Sequence, residues 1–139
     1  MAALTKDRNT PERTGKDFSF PVKAATRIFA GSIVVLASGN AEPGKTGTGL
    51  VAVGRADAHA DNRNGAAGNI DVPVRAGVFR FENSADADLI TRSDIGADAW
   101  IVDDQTVAKT GAESSGNATR SKAGRIVDVD DLGVWVQLG

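Results

Sequence analysis

Three stretches of this 139-residue chain carry residue types whose spacing could do chemistry. The first is "GNAEPGKT", which meets the phosphate-loop pattern with Gly39, four residues, Gly44, Lys45 and Thr46. An apolar run, "SIVVLAS", precedes it, and "AWIVDD" resembles a Walker B strand ending in Asp103. Such a loop works only if its backbone N–H groups turn inward and the Lys-Thr end opens a helix facing the phosphate. Here Gly47, Gly49 and Gly54 stand where that helix belongs, each costing about 1 kcal/mol against Ala. Alternation with a period of two begins at once, Glu42 puts a carboxylate inside the anion nest, and Pro43 removes a donor. A nucleotide-binding enzyme acting through Gly39–Thr46 is therefore the weakest functional reading. The stretch is expected to be a hairpin connection.

The second stretch is "DVDDLG" from Asp128, whose acidic spacing hints at calcium. An EF-hand loop needs Gly at position 6 and Glu at position 12; Gly133 meets the first requirement and Gly139 fails the second. A surface turn is the better reading. The third is His59, on one face of an extended segment with Arg55 and Asp57 but without a Ser or Cys partner at a telling spacing. Asp86 with Asp88, and Asp103 with Asp104, could pair as carboxylates, yet Asp is also a common turn residue. With no Cys and one His, the usual zinc ligand sets cannot be assembled. No catalytic, cofactor-binding or metal-binding residue is expected.

The elements that would position these residues are short and β-like. "TRIFAGSIVVLAS" reads as two strand pieces around Ala30-Gly31, and "GLVAVGRADAHA" alternates. Asn64-Gly65 marks a turn. "IDVPVRAGVFRFE" reads as one strand with a bulge near Gly77, and Pro73 suggests an edge. "NSADADLITRSDIGADAW" is the only helix-like stretch, worth one or two turns capped by Ser84 or Asp86. "WIVDDQTVAKT" gives a strand, an Asp-Asp turn and a short second strand, and "AGRIVDVDDLGVWVQLG" a closing hairpin. Trp100 and Trp135, amid β-branched neighbours, read as core. The expected fold is all-β: a small β-barrel or β-sandwich of about seven or eight short strands, with an extended N-terminal arm. The body is residues 22–139 and the arm residues 1–21.

Charge separates the two parts. Residues 1–27 carry Lys6, Arg8, Arg13, Lys16, Lys23 and Arg27 against Asp7, Glu12 and Asp17, a net of +3, while the remaining 10 basic and 15 acidic residues give −5. The overall net charge of −2 argues against a nucleic-acid partner. No stretch approaches the roughly 20 apolar residues that span a bilayer, so no membrane role is expected. The polar N-terminus shows no signal peptide, which points to synthesis in a cytoplasm and leaves "NAT" at 117–119 without meaning as a glycosylation acceptor. Phe18 and Phe20 sit two apart in the arm, on one face of an extended segment. They either anchor the arm on a partner or begin the first strand of the body.

The succession "IFAGSIVVLASG", "GLVAVGRADAHADN", "GVFRFENS", "DIGADAWIVDDQTVAKT" and "AGRIVDVDDLGVWVQL" resembles the cement, or head decoration, proteins of tailed bacteriophages. The resemblance covers residues 22–139 and rests on the order and spacing of several motifs; the arm matches only in being an arm. It implies a structural, non-enzymatic protein on the outer surface of the phage head, made in the host bacterial cytoplasm. Such a protein binds the major capsid protein, commonly as a trimer, and clamps neighbouring subunits against the pressure of packaged DNA. Candidate partner contacts are then Arg8, Arg13, Lys16, Phe18 and Phe20. The alternative from another class is a tail or receptor-binding adhesin module, which would carry aromatic-rich loops; the loops here are Gly, Ala, Asn and Asp.

Overall fold

The computed structural model describes residues 2–13 and 15–139. It is nearly all β, with three antiparallel sheets. Twelve strands are present among the described residues, more than the seven or eight expected. The additional ones are Asp17–Pro21 in the expected arm, Asn40–Pro43 in the phosphate-loop-like string, Ala60–Asn62 before the Asn64-Gly65 turn, and Gly77–Phe81, which a change of sheet separates from Asp71–Arg75.

The first sheet contains β1 (Asp17–Pro21), β7 (Asp71–Arg75), β5 (Val51–Ala56), β3 (Ile33–Ala37) and β4 (Asn40–Pro43), in that spatial order. The second is ordered β10 (Val107–Ala108), β9 (Asp98–Ile101), β11 (Lys122–Asp130), β12 (Gly133–Leu138) and β8 (Gly77–Phe81). A two-stranded ribbon of β2 (Thr26–Ile28) and β6 (Ala60–Asn62) completes the fold. Parallel bridges at Val22↔Ala41 and Glu82↔Thr106 join the outer strands of the first and second sheets respectively. Both sheets therefore roll toward small closed barrels, which removes most free edges.

Strand β3 is the wall between two cores. Ile33, Val34 and Val35 are all fully buried, because successive side chains point to opposite faces. Ile33 and Val35 join a cluster with Ile101, Ile126, Val134, Val136 and Leu138. Val34 faces the other way, into a cluster with Val22, Ile28, Ala56, Val72 and Val74. Hydrogen bonds and close packing add to the join. The Ile33 N–H donates to the Asp104 carbonyl at 2.9 Å, and a Cβ on Gly44 would sit 3.1 Å from the Asp103 carbonyl oxygen and 3.2 Å from both Ile101 and Ile33.

Four expectations are corrected here. "IDVPVRAGVFRFE" is two strands, β7 in the first sheet and β8 in the second, with Ala76 as the crossing point. Pro73 consequently lies in an interior strand of its sheet. It is tolerated because β7 pairs with β5 only at Arg55↔Arg75 and Ala56↔Val74, so its missing N–H falls beyond the end of β5. Trp100 and Trp135 are half-buried outside the core, since the alternating positions Ala99 and Ile101, or Val134 and Val136, take the interior. Each indole is covered by a cation: Lys122 Nζ is 5.6 Å from the Trp100 ring centroid and the Arg80 guanidinium 5.7 Å from that of Trp135. The helix-like stretch becomes two single 3-10 turns, Asp86–Asp88 and Arg92–Asp94. Their N-caps are Ala85 and Thr91 in place of Ser84 or Asp86, with a Thr91–Asp94 capping box on the second.

A wall shared by two cores should couple them. Ile33→Ala is expected to lower stability by about 2–5 kcal/mol, read as a lower urea midpoint at similar slope. Far-UV circular dichroism, which sees both barrels, and fluorescence of Trp100 and Trp135, which sees only the second, should give coincident transitions. Two separated transitions would show that β3 does not bind the cores into one cooperative unit.

Candidate interaction surface

Each residue of the phosphate-loop-like string has a structural position. Ser38 and Gly39 form a two-residue turn between β3 and β4, with φ of 51° and 84° and Ala37 paired to Asn40. Positive φ at both positions is the type I′ requirement. Asn40–Pro43 is strand β4, so the expected hairpin connection is confined to Ser38-Gly39 and half of the string lies in the sheet. Glu42 is buried, and its carboxylate pairs with the Lys45 ammonium and, at 3.5 Å, with Lys23 Nζ. Thr46 Oγ1 donates to the Val102 carbonyl at 2.8 Å, and Ser121 Oγ accepts from the Leu50 N–H and donates to the Gly47 carbonyl. Residues 44–50 thus strap the first barrel to the second. No helix follows Thr46, and the lysine that would meet a phosphate is engaged with Glu42.

The acidic candidates are likewise committed to the fold. Asp130 Oδ1 accepts from the backbone N–H groups of Leu132 and Gly133, and Oδ2 from the Trp135 indole N–H at 2.8 Å. The Trp135 bond first, then the backbone donors, hold this carboxyl below its usual range. Asp128 receives Arg92 and its neighbour's N–H. Asp88 is also depressed, first by the Thr110 hydroxyl and then by Arg120, and it pins the 109–120 loop. Asp103 accepts from the Gln105 N–H and Asp104 from Ser32 Oγ. Among the described residues no cluster of three His, Cys, Asp or Glu could hold a metal ion.

Of the candidate contacts of the arm, Arg13, Phe18 and Phe20 fall at one place, and Arg8 and Lys16 lie outside it. Asp17–Pro21 pairs with β7 along its whole length, so Phe18 lies opposite Val74 and Phe20 opposite Val72. The two phenyl rings are 6.3 Å apart and inclined by 30°. The described residues of the arm that lie outside any strand are therefore 2–13, 15 and 16, and Phe18 and Phe20 start the first strand of the body while remaining half-buried. Arg13 places its guanidinium 4.7 Å from the Phe18 ring centroid. Lys16 gives its carbonyl to the Ala76 N–H at 2.7 Å. Arg75 joins Asp17 at 3.0 Å and Asp57 at 3.6 Å, tying β1, β7 and the end of β5 together on the surface. Arg8 lies farther out on the arm, where every described residue from 2 to 13 is exposed. Among the described residues, none from 2 to 12 forms a hydrogen bond or ion pair with the body.

Phe18, Phe20 and Arg13 line an apolar groove of about 660 Å³ with Val51, Val53 and Ala76. Val51 is 59% exposed. Alternation in "GLVAV" places Val51 and Val53 on one face, but whether that face is covered depends on where β7 ends, which no local pattern encodes. A second surface cluster also escapes the pattern. His59 lies beyond the end of β5 and stacks on Phe29 with centroids 5.5 Å apart, accepting a 2.7 Å hydrogen bond from Arg27 Nε. The partner is Arg27 and the segment turns before residue 59, so His59 does not share a face with Arg55 and Asp57.

No family model, curated protein or solved structure matches the chain.

Two outcomes test these assignments. Lys45→Ala leaves the buried Glu42 carboxylate with only Lys23, and is expected to cost about 1–3 kcal/mol in thermal melts. Millimolar Mg-ATP should shift the melting temperature of neither protein; a shift abolished by the substitution would restore the phosphate-loop reading. For Asp130 the folded-state pKa is lowered, so its contribution is present above the unfolded value of about 3.9 and disappears as pH falls through the folded value. In a Trp100→Phe background, Trp135 emission should change on acidification below about pH 3.9. Asp130→Ala should produce the same change at neutral pH.

Proposed function

We propose that this chain is a structural, non-enzymatic capsid cement protein of a tailed bacteriophage, bound to the outer surface of the head and clamping neighbouring major capsid proteins. The observation that carries the reading is the contrast between a doubly closed β body and an exposed arm in which, among the described residues, none from 2 to 12 forms a hydrogen bond or ion pair with that body. An arm of fifteen residues, 2–16, can reach about 50 Å when extended, far enough to leave its own body and lie on a neighbour. The order and spacing of the strand motifs across residues 22–139, which resemble those of head decoration proteins, support the same reading.

The chemistry of the arm fits a clamp. Lys6, Arg8, Arg13 and Lys16 outnumber Asp7 and Glu12, so the arm is drawn to an acidic surface and its docking weakens with salt. A segment that orders only on docking binds weakly for its length. Many copies on one shell, grouped as trimers, make up for that weakness through avidity. The body supplies rigidity: strands β3, β5, β11 and β12 bury their inward side chains in two cores, and the strap at residues 44–50 keeps these from moving independently.

Co-sedimentation with expanded shells of the cognate phage tests the proposal. The truncation to compare with the full chain removes residues 2–16 and keeps Asp17–Pro21, because loss of β1 would unzip β7 and confound the result. Saturable binding by the full chain, weakened about tenfold or more by the truncation, is expected. Absence of binding at every salt concentration would overturn the proposal and favour an adhesin module.

A further inference from the structure

The groove beside β1 opens where β7 leaves the first sheet. In the first sheet β7 lies between β1 and β5, and adjacent strands are about 4.8 Å apart. The two flanking chains therefore stand roughly 9.6 Å apart, twice that spacing. β7 pairs with β1 along Asp17–Pro21, and the Ala76 N–H still reaches the Lys16 carbonyl. After Ala76 the chain leaves for β8 in the second sheet. Toward its N-terminal end β5 continues through Val53 to Val51, and Gly15 and Arg13 line the other bank. No strand of this chain lies between these banks. Gly139 and Ala76 close one end of the gap, and Phe18, Phe20, Val51 and Val53 give it apolar walls.

We infer that this gap receives an extended segment of a partner protein, with apolar side chains at alternate positions and carboxylates between them. The geometry selects an extended backbone, because β7 pairs with β5 only at Arg55 and Ala56 and leaves the β5 edge at Val51–Val53 open to a further strand. The walls select apolar side chains at every second residue. Charge selects the acidic character. Arg13 lines the gap and Lys16 stands at its end, and neither forms an ion pair among the described residues. The one carboxylate of β1, Asp17, is held by Arg75.

The same charges disfavour a second copy's arm as occupant. Over residues 2–16 that arm carries four basic residues against two acidic ones, and its one large apolar residue is Leu4. The site goes beyond the arm-based clamp: the arm reaches outward, whereas the gap takes a strand in, and either can operate without the other.

The test uses the full chain and two short blocked peptides, one alternating Val with Glu and one alternating Val with Lys. Binding is followed through backbone amide shifts and fluorescence anisotropy. The acidic peptide is expected to shift the amides of Gly15, Val51, Ala52, Val53 and Ala76 and to bind at least tenfold tighter than the basic one. Val51→Glu, at an exposed position that should leave the fold intact by circular dichroism, should weaken it by about tenfold. Arg13→Glu should reverse the preference between the peptides. Equal binding of both peptides, shifts confined to other surfaces, or no binding at millimolar peptide would overturn the inference. Concentration-dependent self-association lost on removing residues 2–12 would overturn it in favour of a second copy. Shell co-sedimentation is read separately, so peptide binding without shell binding would leave the gap standing while removing the capsid reading.

Discussion

Ile33, Val34 and Val35 are the three consecutive residues on which both halves of the molecule depend. A strand with one buried face alternates apolar and polar residues, but β3 is buried on both faces, and its run of branched aliphatic side chains meets that demand. The larger cluster needs Ile33 and Val35 to cover sheet two, and the smaller needs Val34 as part of its wall. A polar residue at any of the three would face an interior without a partner, a cost of a few kcal/mol. The turn at Ser38-Gly39, the bulge in the β3–β5 pairing between Val34 and Val35, and the glycine at 44 all follow from holding this strand between two barrels. The bulge corrects the register of β5, so that Ala52 packs against one cluster and Val53 against the other.

Polar residues then hold the two barrels in register. Asn62 is buried and its amide nitrogen lies within hydrogen-bond reach of the carbonyls of Val22, Lys23 and Ala66, beside the bridge that closes the first barrel. Glu42, with Lys23 and Lys45, sits next to the same seam. A buried carboxylate is expensive to desolvate and adds little net stability even when paired. Its value here is positional, since Lys23 follows β1 and Lys45 follows β4, and one carboxylate joins the two ends that must meet. Serine and threonine side chains do the corresponding work between barrels, where Ser121 and Thr46 satisfy the backbone of the strap.

Much of this was legible in the residues themselves. The two-strand reading around Ala30-Gly31, the hairpin at the end of the chain and the all-β class follow from alternation and turn chemistry, which are local. Pro73 and the run from Asp71 to Phe81 misled for one reason: periodicity does not record which sheet a strand joins, and Ala76 carries no mark of a crossing. Trp100 and Trp135 misled because β-branched neighbours indicate a strand without saying which face is inside. At the candidate surface, Phe18 and Phe20 were visible as an apolar pair, and Arg8, Arg13 and Lys16 as charge contacts. Val51 and Val53 were not, because their exposure is set by the departure of a strand some 25 residues later in the chain.

The bridges at Val22↔Ala41 and Glu82↔Thr106 have a consequence for self-association. Each rolled sheet hides the row of amide and carbonyl groups through which β proteins stack into fibrils. Protection against edge-to-edge pairing is thereby built into the backbone and does not rely on a strongly charged surface, which suits a chain whose net charge is only −2. The stretch along Val51–Val53 is left unpaired on the side that β7 vacates, and ordered aggregation could start there.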